Sequence, residues 1–226
     1  MIEKIVEYVS IFLALLIVLP FHEFAHAFVA DKFGDHTPRL NGRLTLNPIA
    51  HFDLFGLLSL LFVHFGWGKP VPINPNNFRK RRLGCFWVSV AGILTNYLLA
   101  FLFYPILILF TRGIINGTIL DLALFDDVIH LTLYYVFTLN LFLFAFNVLP
   151  LYPLDGFKLF ESLNTNRGVI YRFLRNYGQY ILLGLVFLGI MSDITGVYQL
   201  DILGYALNWI TNYLQYPITL FWGLIL

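Results

Sequence analysis

The sequence predicts an all-α polytopic membrane protein: a bundle of about 5–6 transmembrane helices, with short re-entrant or strand-like segments between the first helix and the next span. Three observations carry that reading. Of 226 residues, 59% are hydrophobic and only 12% are charged, against roughly 25% charged in ordinary soluble domains. The apolar residues gather in runs approaching the roughly 20 residues that a helix needs to cross the hydrocarbon core. Between the first two runs the composition turns to Pro, Asn and Gly.

The first run covers residues 5–30. Only Lys4 precedes it as a basic residue, the apolar stretch continues past Pro20 through Val29, and no small-residue cleavage pattern follows. It is expected to be a retained helix rather than a signal peptide. Next come "TPRLNGRLTLNP" and "WGKPVPINPNNF", where alternating apolar residues among Pro, Asn and Gly suggest short strands and turns at 40–48 and 70–74. The segment "LFGLLSLLFVHFG" at 54–66 is too short to cross comfortably and reads as re-entrant or interfacial. Lipid cannot satisfy non-helical backbone, so this region is expected to be buried in protein or to line a water-filled cavity.

Residues 84–111, interrupted by Pro105, form the second run, and 128–149 the third. A shorter fourth covers 177–191, and a fifth, containing Pro217, covers 203–226. Lys32, Arg39, Arg43, Lys69 and Arg79 to Arg82 fall between the first two spans, while Lys158, Arg167, Arg172 and Arg175 follow the third. Lys and Arg concentrate on the cytoplasmic side, so both regions are expected there, with Asp121, Asp126 and Asp127 outside. No repeat or linker divides the chain. It reads as one domain over 1–226, with a core at about 5–165 and C-terminal helices at about 166–226.

A net charge of +1 and a single basic block, "FRKRR" at 78–82, exclude the electrostatic footprint of a nucleic-acid binder. The lone Cys85 excludes an intrachain disulfide framework and a multi-cysteine metal site.

Chemistry concentrates in "LPFHEFAHAF" at 19–28. Ionisable residues inside an apolar span are costly and mark function by default. His22, Glu23 and His26 spell H-E-x-x-H, which on a helix sets both imidazoles on one face, able to share a zinc ion. Glu23 sits beside them, where it can accept a proton from an activated water. The bland alternative is a pair of packed helix histidines with Glu23 as a partner.

A hydrolytic zinc site normally takes three protein ligands. Between Asp127 and Lys158 the single charged residue is Asp155, in "NVLPLYPLDGFKLF" at 147–160. Pro150 and Pro153 break the helix before it, and Gly156 permits a tight turn. From spacing alone, Asp155 is either the third ligand or the cap of the next helix. Asn147 either satisfies carbonyls at the helix break or aims an amide at a developing oxyanion.

Taken together, "HEFAH", "GRLTLNPIAHFD", "WGKPVPINPNNFR" and "NVLPLYPLDG" resemble the site-2 protease family of intramembrane zinc metalloproteases, peptidase family M50. The likeness is strongest to compact members that lack PDZ and CBS domains, and it covers about residues 15–165. It implies one zinc ion per chain held by His22, His26 and Asp155, with Glu23 as catalytic base and Asn147 steadying substrate or oxyanion. It further implies a multi-pass protein of the cell membrane that cuts transmembrane segments of protein substrates, with its site toward the cytoplasmic side. The strand-like segments at 40–48 and 70–74 would be templates for an extended substrate.

One departure is visible: "AGILTN" at 91–96 has Ile93 where the family usually shows Pro, which places the local helix geometry in question. His51 and Asn47 stay outside the catalytic set, and His36, His64 and His130 read as structural or solvated. The competing functions are a metal-ion transporter and a catalytically silent relative that binds membrane clients.

Overall fold

The computed structural model describes residues 2–56, 59, 66–113, 123–164 and 166–226. Its helices are α1 (Ile2–Lys32), α2 (Thr37–Leu40), α3 (Arg81–Thr111), α4 (Ala123–Val148), α5 (Asp155–Leu163), α6 (Val169–Thr195) and α7 (Ile202–Gly223). Four of them, α1, α3, α4 and α6, are long and apolar enough to cross a membrane. The chain is an all-α membrane protein with four such helices among the described residues, fewer than the five or six expected. The difference lies partly in α7, which has the length of a span at 22 residues but carries Asn208, Thr211, Asn212 and Gln215. The run expected at 177–191 is longer, because α6 begins at Val169 and carries Arg172 and Arg175 on its first turns, where long side chains reach water. Most of the segment expected to be re-entrant (57, 58 and 60–65) lies outside the described residues, as do Asp121 and His64.

Helices α1, α3 and α4 each pack on the other two. Between apolar helices in lipid there is little hydrophobic drive, so association depends on close van der Waals contact through small residues. Ala14, Ala27 and Ala30 on α1 and Ala100 on α3 are accordingly buried without exposure. Ala14 and Val18 meet Val136 of α4, while Ala100 and Leu107 meet Phe137, Leu141 and Ile218 of α7. The Trp222 indole N–H, which needs a partner when buried, donates to the Phe101 carbonyl at 2.9 Å. Helix α6 packs on α7, and at Gly178 it comes so near the chain before α5 that a Cβ would lie 2.7 Å from the Tyr152 nitrogen.

The connection from α1 to α3 is where expectation and structure part. No ladder strand forms among the described residues. Only one isolated bridge, Phe52 to Gly68, is present. Segment 40–48 instead closes in turns: Gly42 takes the left-handed φ of 66°, and Asn47 accepts from Ile49 N–H at 3.1 Å to start a 3-10 turn. Among the described residues, the alternating leucines that resembled a strand have no neighbouring strand to pair with. Segment 70–73 makes no backbone–backbone hydrogen bond among the described residues, since Pro70 and Pro72 have no N–H to donate.

Side chains hold this connection in place of a sheet. Asp35 is fully buried and accepts from Thr37 N–H at 3.1 Å, Asn74 N–H at 2.7 Å and Asn77 Nδ2 at 2.8 Å. It thereby ties the end of α1 to the chain entering α3. Arg43 donates to the carbonyls of Ala50 and Lys69. Buried His51 contacts the Thr45 carbonyl through Nε2 at 2.8 Å. His36 pairs with Asp31 at 2.8 Å, and His130 bonds Thr111 at 3.1 Å.

Burial raises the Asp35 carboxyl, but the bonds it accepts from Thr37, Asn74 and Asn77 outweigh this and hold it below the ordinary carboxylate range. A depressed folded value means that its contribution is fully present above the unfolded value of about 3.9 and is lost as pH falls through the folded one. Asp35→Ala removes the buried acceptor shared by Thr37, Asn74 and Asn77 and is expected to destabilise the protein by roughly 1–3 kcal/mol, read as a lowered thermal midpoint in detergent. The loss should shrink as the pH is taken below about 4.

Candidate metal centre

Helix α1 carries His22 and His26 on the face turned toward α3, both buried. The Nδ1 of His26 donates to the Val88 carbonyl at 2.7 Å. A carbonyl only accepts, so this bond fixes the tautomer and leaves Nε2 with a bare lone pair. The Nδ1 of His22 bonds Asn96 Oδ1 at 3.2 Å with the same consequence. Both partners lie on α3, one helical turn either side of Gly92. A Cβ on Gly92 would collide with Nε2 of His26 and Cε1 of His22. Its lack of a side chain is what lets α3 approach the histidines. Ile93, where the family usually has Pro, is buried in unbroken helix, so that departure leaves the local geometry regular.

Asp155 arrives from the opposite direction. Helix α4 ends at Val148 and α5 begins at Asp155, with Pro150 and Pro153 between them. Gly156 serves a purpose other than the tight turn expected of it: it is the second residue of α5, and a Cβ there would strike the carbonyls of Val148 and Leu149. This contact seats the start of α5 against the end of α4. Asp155 is buried, and its Oδ2 lies 3.3 Å from His22 Nε2 and 2.9 Å from His26 Nε2. Its other oxygen, Oδ1, accepts from Lys158 Nζ at 2.9 Å.

Three lone-pair atoms thus converge: the two Nε2 atoms are 3.0 Å apart, and the carboxylate oxygen faces both. With their protons committed on the Nδ1 side, these atoms repel one another unless a cation sits among them. A tetrahedral zinc with bonds of about 2.0–2.1 Å sets its ligands roughly 3.3 Å apart, close to the separations present. The donor set of two imidazoles and one carboxylate is one that catalytic zinc uses, with a position left over. His22, His26 and Asp155 form the one such group of three among the described residues.

Glu23 and Asn147 border the same cavity, of about 140 Å³, together with Pro70, Val71 and Pro153. Glu23 Oε2 accepts from Val71 N–H at 3.2 Å, so it faces the proline-rich chain while its neighbours face α3. One Asn147 N–H donates to the Leu143 carbonyl at 3.1 Å, within its own helix. Sequence reasoning did not single out Gly92, Asn96, Val88 or Lys158. Their parts follow from helix packing, and the only local signal was the "AGILTN" string itself.

The sequence model of peptidase family M50 matches residues 10–189. The chain is 43% identical over 152 residues to the "Putative zinc metalloprotease YwhC" of Bacillus subtilis, covering 67% of each protein. It is 33% identical over 162 residues to the "Putative zinc metalloprotease Rip2" of Mycobacterium tuberculosis, covering 68% of this chain and 57% of that one. A further Rip2, from Mycolicibacterium smegmatis, is 36% identical over 106 residues, covering 42% of this chain and 40% of that protein. No solved structure matches significantly.

Gly92→Ala is expected to push α3 off the histidines and cut zinc content from about one per chain to a small fraction of that, measured by elemental analysis of the purified protein. Retention of full zinc would separate the α3 contact from the site.

Proposed function

The chain belongs to peptidase family M50, the zinc-dependent metalloproteases, and from that premise we propose that it is an intramembrane endopeptidase cutting transmembrane segments of membrane-protein substrates. The observation that supports this reading is the convergence of three bare donor atoms inside a membrane-spanning bundle, with a separate carboxylate, Glu23, on the cavity beside them. His22, His26 and Asp155 hold the zinc. The ion supplies a Lewis acid and an activated water at neutral pH.

Glu23 accepts the proton of the attacking water on its carboxylate and returns it to the nitrogen of the departing amine. Its Oε2 already bonds an amide N–H, which keeps it within the cavity and oriented. Asn147, at the cavity wall, turns its amide from the Leu143 carbonyl toward the substrate carbonyl oxygen, where negative charge develops. Lys158 holds the remote oxygen of Asp155, so that a single oxygen is presented to the metal.

A substrate helix hides its amides in internal bonds and must unwind before any can be cut. Among the described residues, 70–73 make no backbone–backbone bond, with Val71 N–H held by Glu23, so an extended substrate can lie along them. Segment 40–48, folded into turns, does not serve in this way. The whole of 1–226 acts as one catalytic domain in the cell membrane. The basic residues that flank the site, Lys32, Arg79 to Arg82 and Lys158 among them, support a mouth on the cytoplasmic side.

A metal transporter would need successive weak sites along several helices. Among the described residues no second group of three ligating side chains exists.

Glu23→Gln is expected to lower cleavage of a co-expressed membrane substrate by about 10²–10⁴-fold while about one zinc per chain is retained, since the glutamate is not a ligand. Asp155→Ala should instead lose the metal. Undiminished cleavage by the first variant, or an unchanged zinc content in the second, would remove the role given to each.

A further inference from the structure

A cavity of about 490 Å³ adjoins the metal chamber and exceeds it in size. The two share Val71, Ile73 and Lys158 as walls, so a chain lying along the 70–73 segment would border both. Its floor is apolar, with Val71, Ile73, Phe78 and Val88. Its rim is cationic: Arg81, Arg82, Lys158 and Arg167 stand against the single carboxylate of Glu161.

The cations differ in how they are engaged. Arg82 donates to the carbonyls of Ser162 and Leu163 at 2.7 Å each, which closes the end of α5. Lys158 holds Asp155, and Glu161 is shared with Arg175 and Tyr171. Arg167 lies over the Tyr171 ring with no carboxylate partner among the described residues, and Arg81 has none either. Arg81 is also the first residue of α3, whose first turn has no acidic side chain and whose N-cap, Lys80, makes no side-chain capping bond. Cations at a helix N-terminus oppose the macrodipole, so this cluster works against its own helix. The rule that places Lys and Arg at the cytoplasmic ends of spans accounts for their being at the membrane edge. It does not account for their lining a cavity that shares walls with the chamber.

We propose that this cavity is a specificity pocket for the substrate polypeptide, taking an apolar side chain next to the scissile bond on its floor and an acidic residue just beyond it between Arg81 and Arg167. The proposal rests on the proteolytic reading for the word substrate, while the binding it describes is independent of catalysis. Charge complementarity then selects membrane proteins whose unwound segment ends in acidic rather than basic residues, the reverse of what a cytoplasmic flank ordinarily carries.

The test uses the full chain as Glu23→Gln in detergent micelles and fluorescent peptides with an apolar stretch bordered, on one side or the other, by Glu-Glu or by Lys-Lys. The acidic form is expected to bind at least about fivefold more tightly, as for two partly exposed ion pairs, with the preference fading at high salt. Adding Arg81→Glu and Arg167→Glu should abolish or invert the preference while zinc content, as a check on folding, stays at about one per chain. If the double substitution loses zinc, Arg81→Gln and Arg167→Gln are measured separately and should each reduce the preference. Equal binding of acidic and basic peptides on both sides, or a preference that survives loss of the arginines, overturns the pocket. If Glu23-intact enzyme fails to cut any of these peptides while the preference holds, it is the proteolytic reading that falls and not the pocket.

Discussion

The rest of the molecule is arranged around one contact: the imidazoles of His22 and His26 facing the carboxylate of Asp155 at 3.3 and 2.9 Å inside the bundle. Three electron-rich atoms packed this closely are unfavourable in a low-dielectric interior unless a cation compensates them. Surrounding residues make the arrangement attainable. Val88 and Asn96 fix the ring tautomers, Gly92 removes the side chain that would intervene, Gly156 seats α5, and Lys158 neutralises the far carboxylate oxygen. Val88, Gly92 and Asn96 come from α3, and Gly156 and Lys158 from α5. The site is a property of the bundle and not of the H-E-x-x-H segment alone.

The second constraint is the backbone between α1 and α3. Non-helical chain beside a membrane needs partners for its amides, and a sheet would be the usual supply. This protein uses Asp35, Arg43, Asn47 and Asn74 as side-chain partners instead. The prolines at 70, 72 and 75 reduce the number of donors to be satisfied. The result is an extended chain anchored at both ends, by the Phe52–Gly68 bridge and by Asp35, with no backbone pairing along its middle among the described residues. That unpaired stretch runs beside both the metal chamber and the larger basic cavity.

How much of this was legible in the sequence depended on whether the signal was local. His22 and His26 are separated by one helical turn, so helix geometry alone places them together. Asp155 stood out because it is the lone carboxylate in a long apolar stretch, on a chain bent by Pro150 and Pro153. The same local reasoning misread 40–48, because alternating leucines mark a strand only where another chain pairs with it, and none does among the described residues. It assigned Gly156 to a turn, because a glycine's close contact with the carbonyls of Val148 and Leu149 depends on where α4 ends. Gly92, Val88 and Lys158 carried no signal of their own: an unremarkable glycine, a backbone carbonyl and a surface-type lysine acquire their parts only when α3 and α5 reach α1.

The division of labour between the two carboxylates follows from the same geometry. Successive residues on a helix are rotated by about 100°, so Glu23 cannot share the face of His22 and His26. It is turned away from α3, toward the chain at 70–73, and bonds the Val71 amide. Asp155 reaches the histidines from another helix, with no freedom left: one oxygen faces the rings and the other is held by Lys158. A carboxylate locked in this way suits a ligand, which must not move. One held by a single amide suits a proton carrier, which must exchange partners during each turnover. Because that single amide belongs to the chain on which a substrate would lie, the position of Glu23, the proposed base, is set by the same segment that would align the bond to be cut.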